Sequence, residues 1–170
     1  MNEILVKEDK KLRDATLVFL IKKHQGTISD VCLAMKKRGF GMNRWNGAGG
    51  KVENGESIGD AAVREVSEEI SVKLSHLNKV AELTFIFAKN SAWDQMVHVY
   101  FSENWEGEPS ESEEMKPEWF DSSQLPFASM WPDDIFWLPT VLAGKFVQSK
   151  FIFGENDTIL EKEVREVECL

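Results

Sequence analysis

The sequence predicts an α+β domain, or an α/β domain, built on a mixed sheet. Three observations point there. Apolar strand-like runs recur along the chain, among them "ATLVFLIKK", "KVAELTFIFA" and "QMVHVYFS". The stretch from Ser57 to Ile70 spaces its apolar residues as a helix does. No internal repeat, linker or low-complexity tract divides the 170 residues, a length that suits one domain with its own core. The expected division is an N-terminal tail over 1–13 and a single domain over 14–170.

In chain order, "ATLVFLIKK" reads as a buried strand, "GTIS" as a turn or short excursion, and "VCLAMKKR" as a second strand. "GFGMNRWNGAGGKVENGE" is glycine-rich loop. A helix starts at Ser57, where Ser57 and Asp60 resemble a capping box, and runs to about Ile70. "KVAELTFIFA" and "QMVHVYFS" pair as a hairpin across "KNSAWD". "ENWEGEPSESEEMKP" is an acidic loop and "EWFD" a short strand. A second helix opens at "WPDD", with Pro132 in its first turn, and Pro139 should kink it or break it early. "KFIFGENDTILEKEVREV" forms two strands around a "GEND" turn.

Composition narrows the function. A hydrophobic content of 42% with 11% aromatics argues against disorder. The charged start "MNEILVKEDKKLRD" has no apolar signal region, and "ATLVFLI" is too short to span a bilayer. A soluble, cytoplasmic protein with no membrane partner is expected. Cys32 and Cys169 form no metal or redox motif and are expected to be free thiols. The net charge of −9 repels a nucleic-acid polymer. A small anion is still compatible, because Lys36, Lys37, Arg38, Arg44 and Lys51 are local to one region.

That region runs into a helix crowded with carboxylates. At about 100° per residue, Ile58, Ala62, Val63, Val66 and Ile70 share the core-facing side. Glu65, Glu68 and Glu69 lie along its border, pointing neither fully inward nor fully outward. Arg64 can pair with Asp60 or Glu68. Glu65 and Glu69 repel each other at i,i+4 by roughly 0.2–0.5 kcal/mol and sit in the negative half of the helix dipole. A hard divalent cation reverses both effects. Alone, the helix reads as an acidic solvated face. The preceding Gly47, Gly49 and Gly50, with Lys and Arg nearby, instead suit a metal-bound phosphate chain.

Gly50, five residues, Glu56, seven residues, then "REVSEEISV" resembles the Nudix box, G-x5-E-x7-R-E-U-x-E-E-x-G-U. Ser71 stands where that family has glycine, a departure at the helix exit that touches no carboxylate. "MKKRGFG", "RWNGAGGKVENGE", "MKPEWF", "LPFASMWPDD" and "DTILEKEVREV" extend the likeness to the MutT-homologue branch, over roughly Thr16 to Val167. Gln25–Ser29 and Asn90–Met96 match poorly and read as an enlarged loop and a re-shaped hairpin tip.

The resemblance implies an α/β/α sandwich with a mixed sheet between helices. It implies Mg²⁺, with Mn²⁺ as a substitute, held by the Gly49 carbonyl, Glu65, Glu68, Glu69 and Glu114. Arg64 would orient the carboxylates, with Glu56 in the catalytic set. One of the box glutamates or Glu114 would take a proton from a metal-activated water that attacks the triphosphate. The substrate would be an oxidised purine nucleoside triphosphate of the 8-oxo-dGTP or 2-hydroxy-dATP type, released as monophosphate and pyrophosphate. It would be bound by Thr16, Lys36, Phe40, Asn46, Ala48, Gly49, Gly50, Lys51, Trp131, Pro132, Asp133 and Asp134. Asn46 offers a donor and an acceptor, and Trp131 and Phe40 offer π-faces. Asp133 or Asp134 could be held protonated to donate to a base, or the pair could simply cap the helix. Trp137 reads as core, and His98 as a strand histidine without a catalytic role. A monomer is expected. The rival readings are a Nudix hydrolase for a nucleotide sugar or dinucleoside polyphosphate, a Nudix-fold binding module without catalysis, and an RNA-decapping enzyme.

Overall fold

The computed structural model describes residues 11–170. Most of the expected tail over 1–13 lies outside the described residues. The central strand, β1 (Arg13–His24), decides the architecture. Its side chains alternate between two cores, as the two-residue period of a strand requires. Val18 and Leu20 join one core with Ala62, Val66 and Ile70 of α1 (Ile58–Ile70). Leu17, Phe19 and Ile21 join the other with Trp137, Leu138 and Val141 of α2 (Asp134–Leu142). A helix therefore covers each face, and the fold is the expected α/β/α sandwich. Burying a side chain such as Val66 or Leu138 stabilises it by about 1.5–3 kcal/mol.

The remaining strands are β2 (Thr27–Lys36), β3 (Trp45–Asn46), β4 (Lys73–Leu74), β5 (Asn78–Phe87), β6 (Gln95–Ser102), β7 (Trp105–Glu106), β8 (Met115–Asp121), β9 (Phe146–Phe153) and β10 (Ile159–Val167). The main sheet runs β10-β9-β5-β6-β1-β2-β3, with β8 also on β2, and β4 pairs with β7 separately. It is mixed: β1 is parallel to β6 and β5 to β9, while β5–β6, β1–β2 and β9–β10 are antiparallel.

The "GTIS" turn needs correcting. His24 pairs with Thr27, so the turn is Gln25–Gly26, both left-handed at φ 51° and 78°. Two consecutive positive-φ residues are what a tight hairpin requires, so no enlarged loop forms and Thr27–Ser29 are strand. Pro139 neither ends α2 nor opens it. It is the sixth of nine residues, and Ile135, whose carbonyl loses a partner, is 53% exposed. Pro132 lies before the helix, whose N-cap is Asp133. Ser57 is the N-cap of α1, its hydroxyl accepting from the Asp60 N–H at 3.1 Å. Among the described residues no helix is long and apolar enough to cross a membrane.

Candidate active site

The glycine loop lies along β1 as an extra strand. The Thr16 N–H donates to the Gly50 carbonyl at 2.8 Å, and Val18 and Ala48 exchange bonds at 2.7 and 3.0 Å. The approach is too close for a side chain. A Cβ on Gly49 would stand 2.0 Å from the Thr16 carbonyl oxygen, and one on Gly50 would stand 2.6 Å from the Glu65 carboxyl carbon. The loop thus hangs directly over the carboxylate helix.

The box carboxylates are not equivalent. Glu69 is only 4% exposed, pointing fully inward where a border position was expected. Its Oε2 accepts from the Gly49 N–H at 3.0 Å. Burial pushes its carboxyl up to about 7, against the pull of that N–H and of Lys36. Glu65 is half-buried and also raised, by burial first, with Arg64 opposing. Glu68 is exposed.

Arg64 ties the cluster together. It makes a two-pronged contact with Glu56 at 3.1 and 2.7 Å and donates to the Lys51 carbonyl at 3.2 Å. It reaches Glu65 at 2.9 Å and Glu68 at 3.3 Å, so of its two expected helix partners it chooses Glu68 over Asp60. Glu56 in turn accepts from the Glu53 N–H at 2.8 Å, and Arg64 holds its carboxyl below the usual range. Glu114 is close enough for its charge to raise Glu65 and Glu69, and it is paired with Arg38 at 3.3 Å and Lys36 at 3.9 Å. Glu113 is far more exposed.

The donor set that the resemblance implies, Glu65, Glu68, Glu69, Glu114 and the Gly49 carbonyl, would be all hard oxygen. That chemistry fits Mg²⁺ or Mn²⁺. Burial raises the Glu65 and Glu69 carboxyls despite Arg64 and Lys36, and a divalent ion would favour their charged forms. Among the described residues, however, no three His, Cys, Asp or Glu groups are placed together so as to hold a metal ion. Arg64, Arg38 and Lys36 take several of the oxygens instead. Mg²⁺ binding would require some of these carboxylates to exchange their Arg and Lys partners for the ion, which keeps several waters of its own.

Beside this cluster opens a cavity of about 330 Å³. Its lining includes Thr16, Lys36, Gly49, Gly50 and Lys51, groups compatible with a phosphate chain, and also Phe40, Asn46, Trp131, Asp133 and Asp134. Of the expected substrate residues, Ala48 and Pro132 are not in the lining. Asn46 spends its carbonyl oxygen on the Gly47 N–H at 2.9 Å, which leaves its NH₂ for a ligand.

Trp131 packs on Phe40 at a tilt of 38°, centroids 5.0 Å apart, and the Arg44 guanidinium covers it at 4.2 Å. Asp157 anchors that guanidinium at 2.9 Å. Trp93, from the hairpin tip, packs on Phe40 at 5.1 Å and on Phe87 at 5.8 Å, and also lines the cavity. Sequence reasoning did not single out Trp93, Arg13, Phe85, Phe87 or Gln95 at this cavity. Arg13, Phe85, Phe87 and Gln95 depend on strand register, and Trp93 on the conformation of the turn Ser91–Trp93.

Asp133 and Asp134 are 1% and 2% exposed. Asp133 makes no capping bond; its Oδ2 accepts from the Trp137 indole N–H at 2.9 Å, and its Oδ1 is buried without a partner among the described residues. Burial pushes Asp133 up to about 6. Asp134 accepts from the Trp131 N–H at 3.2 Å and is raised well above the carboxylate range, by burial and then by Asp133. The pair therefore holds a proton where ordinary carboxylates have lost theirs. Trp137, fully buried, is core, as its sequence context indicated. His98 is paired with Asp14 at 2.8 Å and is 7% exposed.

A two-helix sandwich with this box under a glycine loop defines a class, and residues 11–141 match the NUDIX domain. The chain belongs to the NUDIX family. Among curated relatives it is 44% identical to the mouse oxidized purine nucleoside triphosphate hydrolase over 153 residues, covering 90% of this chain and 94% of that one. It is 46% identical to the zebrafish protein of the same description over 140 residues, covering 82% and 89%. A solved MutT protein from Bacillus halodurans shares the fold at a TM-score of 0.77 and 22% identity, covering 90% of this chain and 97% of that one.

Proposed function

We propose that this chain hydrolyses oxidised purine nucleoside triphosphates, of the 8-oxo-dGTP and 2-hydroxy-dATP type, to the monophosphate and pyrophosphate. The observation that carries the reading is a single cavity with two different ends. One end is a glycine loop and lysines above Glu65 and Glu69. The other places Trp131 beside two buried carboxyls. The names of the mouse and zebrafish relatives support the same substrate class.

Glu65, Glu68, Glu69, Glu114 and the Gly49 carbonyl would hold a divalent cation. When bound, the ion neutralises charge on phosphate oxygens and lowers the pKa of a coordinated water. Arg64, clamped by Glu56, fixes the direction of Glu65 and Glu68. Lys36 and Lys51 bring positive charge to the phosphate part. One of the box glutamates or Glu114 would take the proton from that water.

At the other end Trp131 stacks on the base and the NH₂ of Asn46 donates to it. The proton held by Asp133 and Asp134 donates to a base acceptor. Oxidation rewrites the hydrogen-bonding edge of a purine, and a pocket of buried polar groups rejects a mismatched edge strongly. A cytoplasmic role on the free nucleotide pool goes with that substrate class.

The test is product analysis after incubating the chain with Mg²⁺ and 8-oxo-dGTP. Monophosphate with pyrophosphate supports the reading. Diphosphate with orthophosphate, or no reaction, refutes it.

A further inference from the structure

The floor of the cavity is built from rows of residues across three strands. Arg13 is the β1 partner of Gln95 in β6, and Gln95 is the β6 partner of Phe85 in β5. One step along, Ala15, Val97 and Leu83 form the next row. The two-residue period puts both rows on one face, and all six residues line the cavity. The inner row is apolar, enough by itself to support a flat base. The outer row replaces two of its three positions with hydrogen-bonding groups.

Arg13 Nε is buried and has no partner among the described residues. A buried guanidinium nitrogen left unpaired is costly, and Arg13 also lines the cavity, where the rest of its guanidinium can meet a ligand atom. Gln95 adds an amide beside it, half-buried at the same level. Trp93, two residues before Gln95, roofs the row, 43% exposed and held against Phe40 and Phe87. The turn that carries Trp93 is fixed at both ends. Asn90 caps it through the Ala92 N–H at 3.2 Å, and Asp94 accepts from the Phe87 N–H at 2.8 Å.

We propose that Arg13 and Gln95 are specificity residues that donate to an acceptor atom of the bound purine, from the sheet floor and separately from Asp133 and Asp134 at the start of α2. This rests on the proposed purine triphosphatase reading. Arg13 has only donors, whereas Gln95 has both kinds of group, so their shared target is an acceptor: a ring nitrogen or exocyclic oxygen of the base. Two groups reading different atoms let the site distinguish purines that a single acid pair would treat alike.

The experiment measures kcat and KM for wild type, Arg13→Met, Arg13→Lys and Gln95→Met with dGTP, dATP, 8-oxo-dGTP and 2-hydroxy-dATP. Calorimetric binding of the four monophosphates and a thermal melt of each variant accompany the kinetics. Losing a hydrogen bond from a charged donor costs about tenfold or more in affinity. The expected result is a KM raised about tenfold by Arg13→Met, and about threefold or more by Gln95→Met, for at least one oxidised purine. The rise differs between bases, kcat stays within about threefold, and Arg13→Lys recovers part of the loss. KM values within about twofold of wild type across the panel overturn the proposal. An equal rise for every nucleotide also overturns it, since that reports a contact to the sugar or phosphates. If wild type turns over none of the four, the parent reading fails independently. The monophosphate binding then decides the subsite: a base-dependent loss in the two Met variants supports it, and no loss overturns it.

Discussion

Replacing Asp133 with asparagine should make the protein more stable and less selective. Asp133 is 1% exposed, and burial moves its carboxyl from 3.8 to about 6. Because the folded-state pKa lies above the unfolded one, the stability this residue carries is complete below about pH 3.8 and is lost as pH rises through about 6. At pH 8 the loss is about 3 kcal/mol, at about 1.36 kcal/mol per pH unit. Asparagine carries no charge, and its oxygen can still accept from the Trp137 indole at the 2.9 Å position. Asp133→Asn should therefore melt about 6–12 °C above wild type at pH 8, at about 2–4 °C per kcal/mol for a chain of this size, and level with it near pH 4. Asp134→Asn should move the same way, since burial and Asp133 raise its carboxyl further. In the same preparations, kcat/KM for 8-oxo-dGTP should fall about tenfold or more, and that for dGTP much less. Thermal melts from pH 4 to 8 with paired kinetics check both halves. A melting difference that does not change with pH refutes the buried-acid argument. An unchanged substrate preference reduces the pair to structural groups.

Three other outcomes follow from particular contacts. Glu69→Gln keeps the shape beneath Gly49 but removes a charge, and should lower kcat at least about a hundredfold with Mg²⁺ present; steady-state kinetics with and without EDTA check it. Ser71 caps α1 at φ 62° and ψ 29°, so Ser71→Gly relieves left-handed strain and should raise stability by about 0.5–1 kcal/mol after the chain-entropy cost of glycine; a lower melting temperature contradicts this. Gly49→Ala drives a Cβ to 2.0 Å from the Thr16 carbonyl and should cost at least about 3 kcal/mol in urea unfolding, with loss of turnover.

The box was legible because its geometry is local. Ser57, Arg64, Glu65 and Ser71 act within one helix and its caps, and helical spacing alone relates them. The long alternating strands were legible for the same reason. Legibility failed where a distant partner decides. The pairs Trp45–Asn46, Lys73–Leu74 and Trp105–Glu106 are strand only because β2 and each other supply the hydrogen bonds. The full burial of Glu69 depends on a loop folding back over the helix. The turn at Gln25–Gly26 was hidden because glutamine is an unusual left-handed residue. The row Arg13–Gln95–Phe85 exists only through the register of three strands, one pair of them parallel. The aspartate pair left two readings open from sequence. The Trp137 indole in place of a capping bond separates Asp133 from an ordinary cap.

The central claim is that one cavity joins a phosphate-cleaving cluster to a pocket that reads an oxidised purine edge. Its most direct test is kcat/KM from pyrophosphate release with Mg²⁺ over one panel: 8-oxo-dGTP, 2-hydroxy-dATP, dGTP, dATP, a dinucleoside polyphosphate and a nucleotide sugar. The expected result is hydrolysis of both oxidised purines at least about tenfold more efficient than of their unmodified counterparts, and abolished by EDTA. Equal turnover of oxidised and normal purines, or a preference for the dinucleoside polyphosphate or nucleotide sugar, would contradict it.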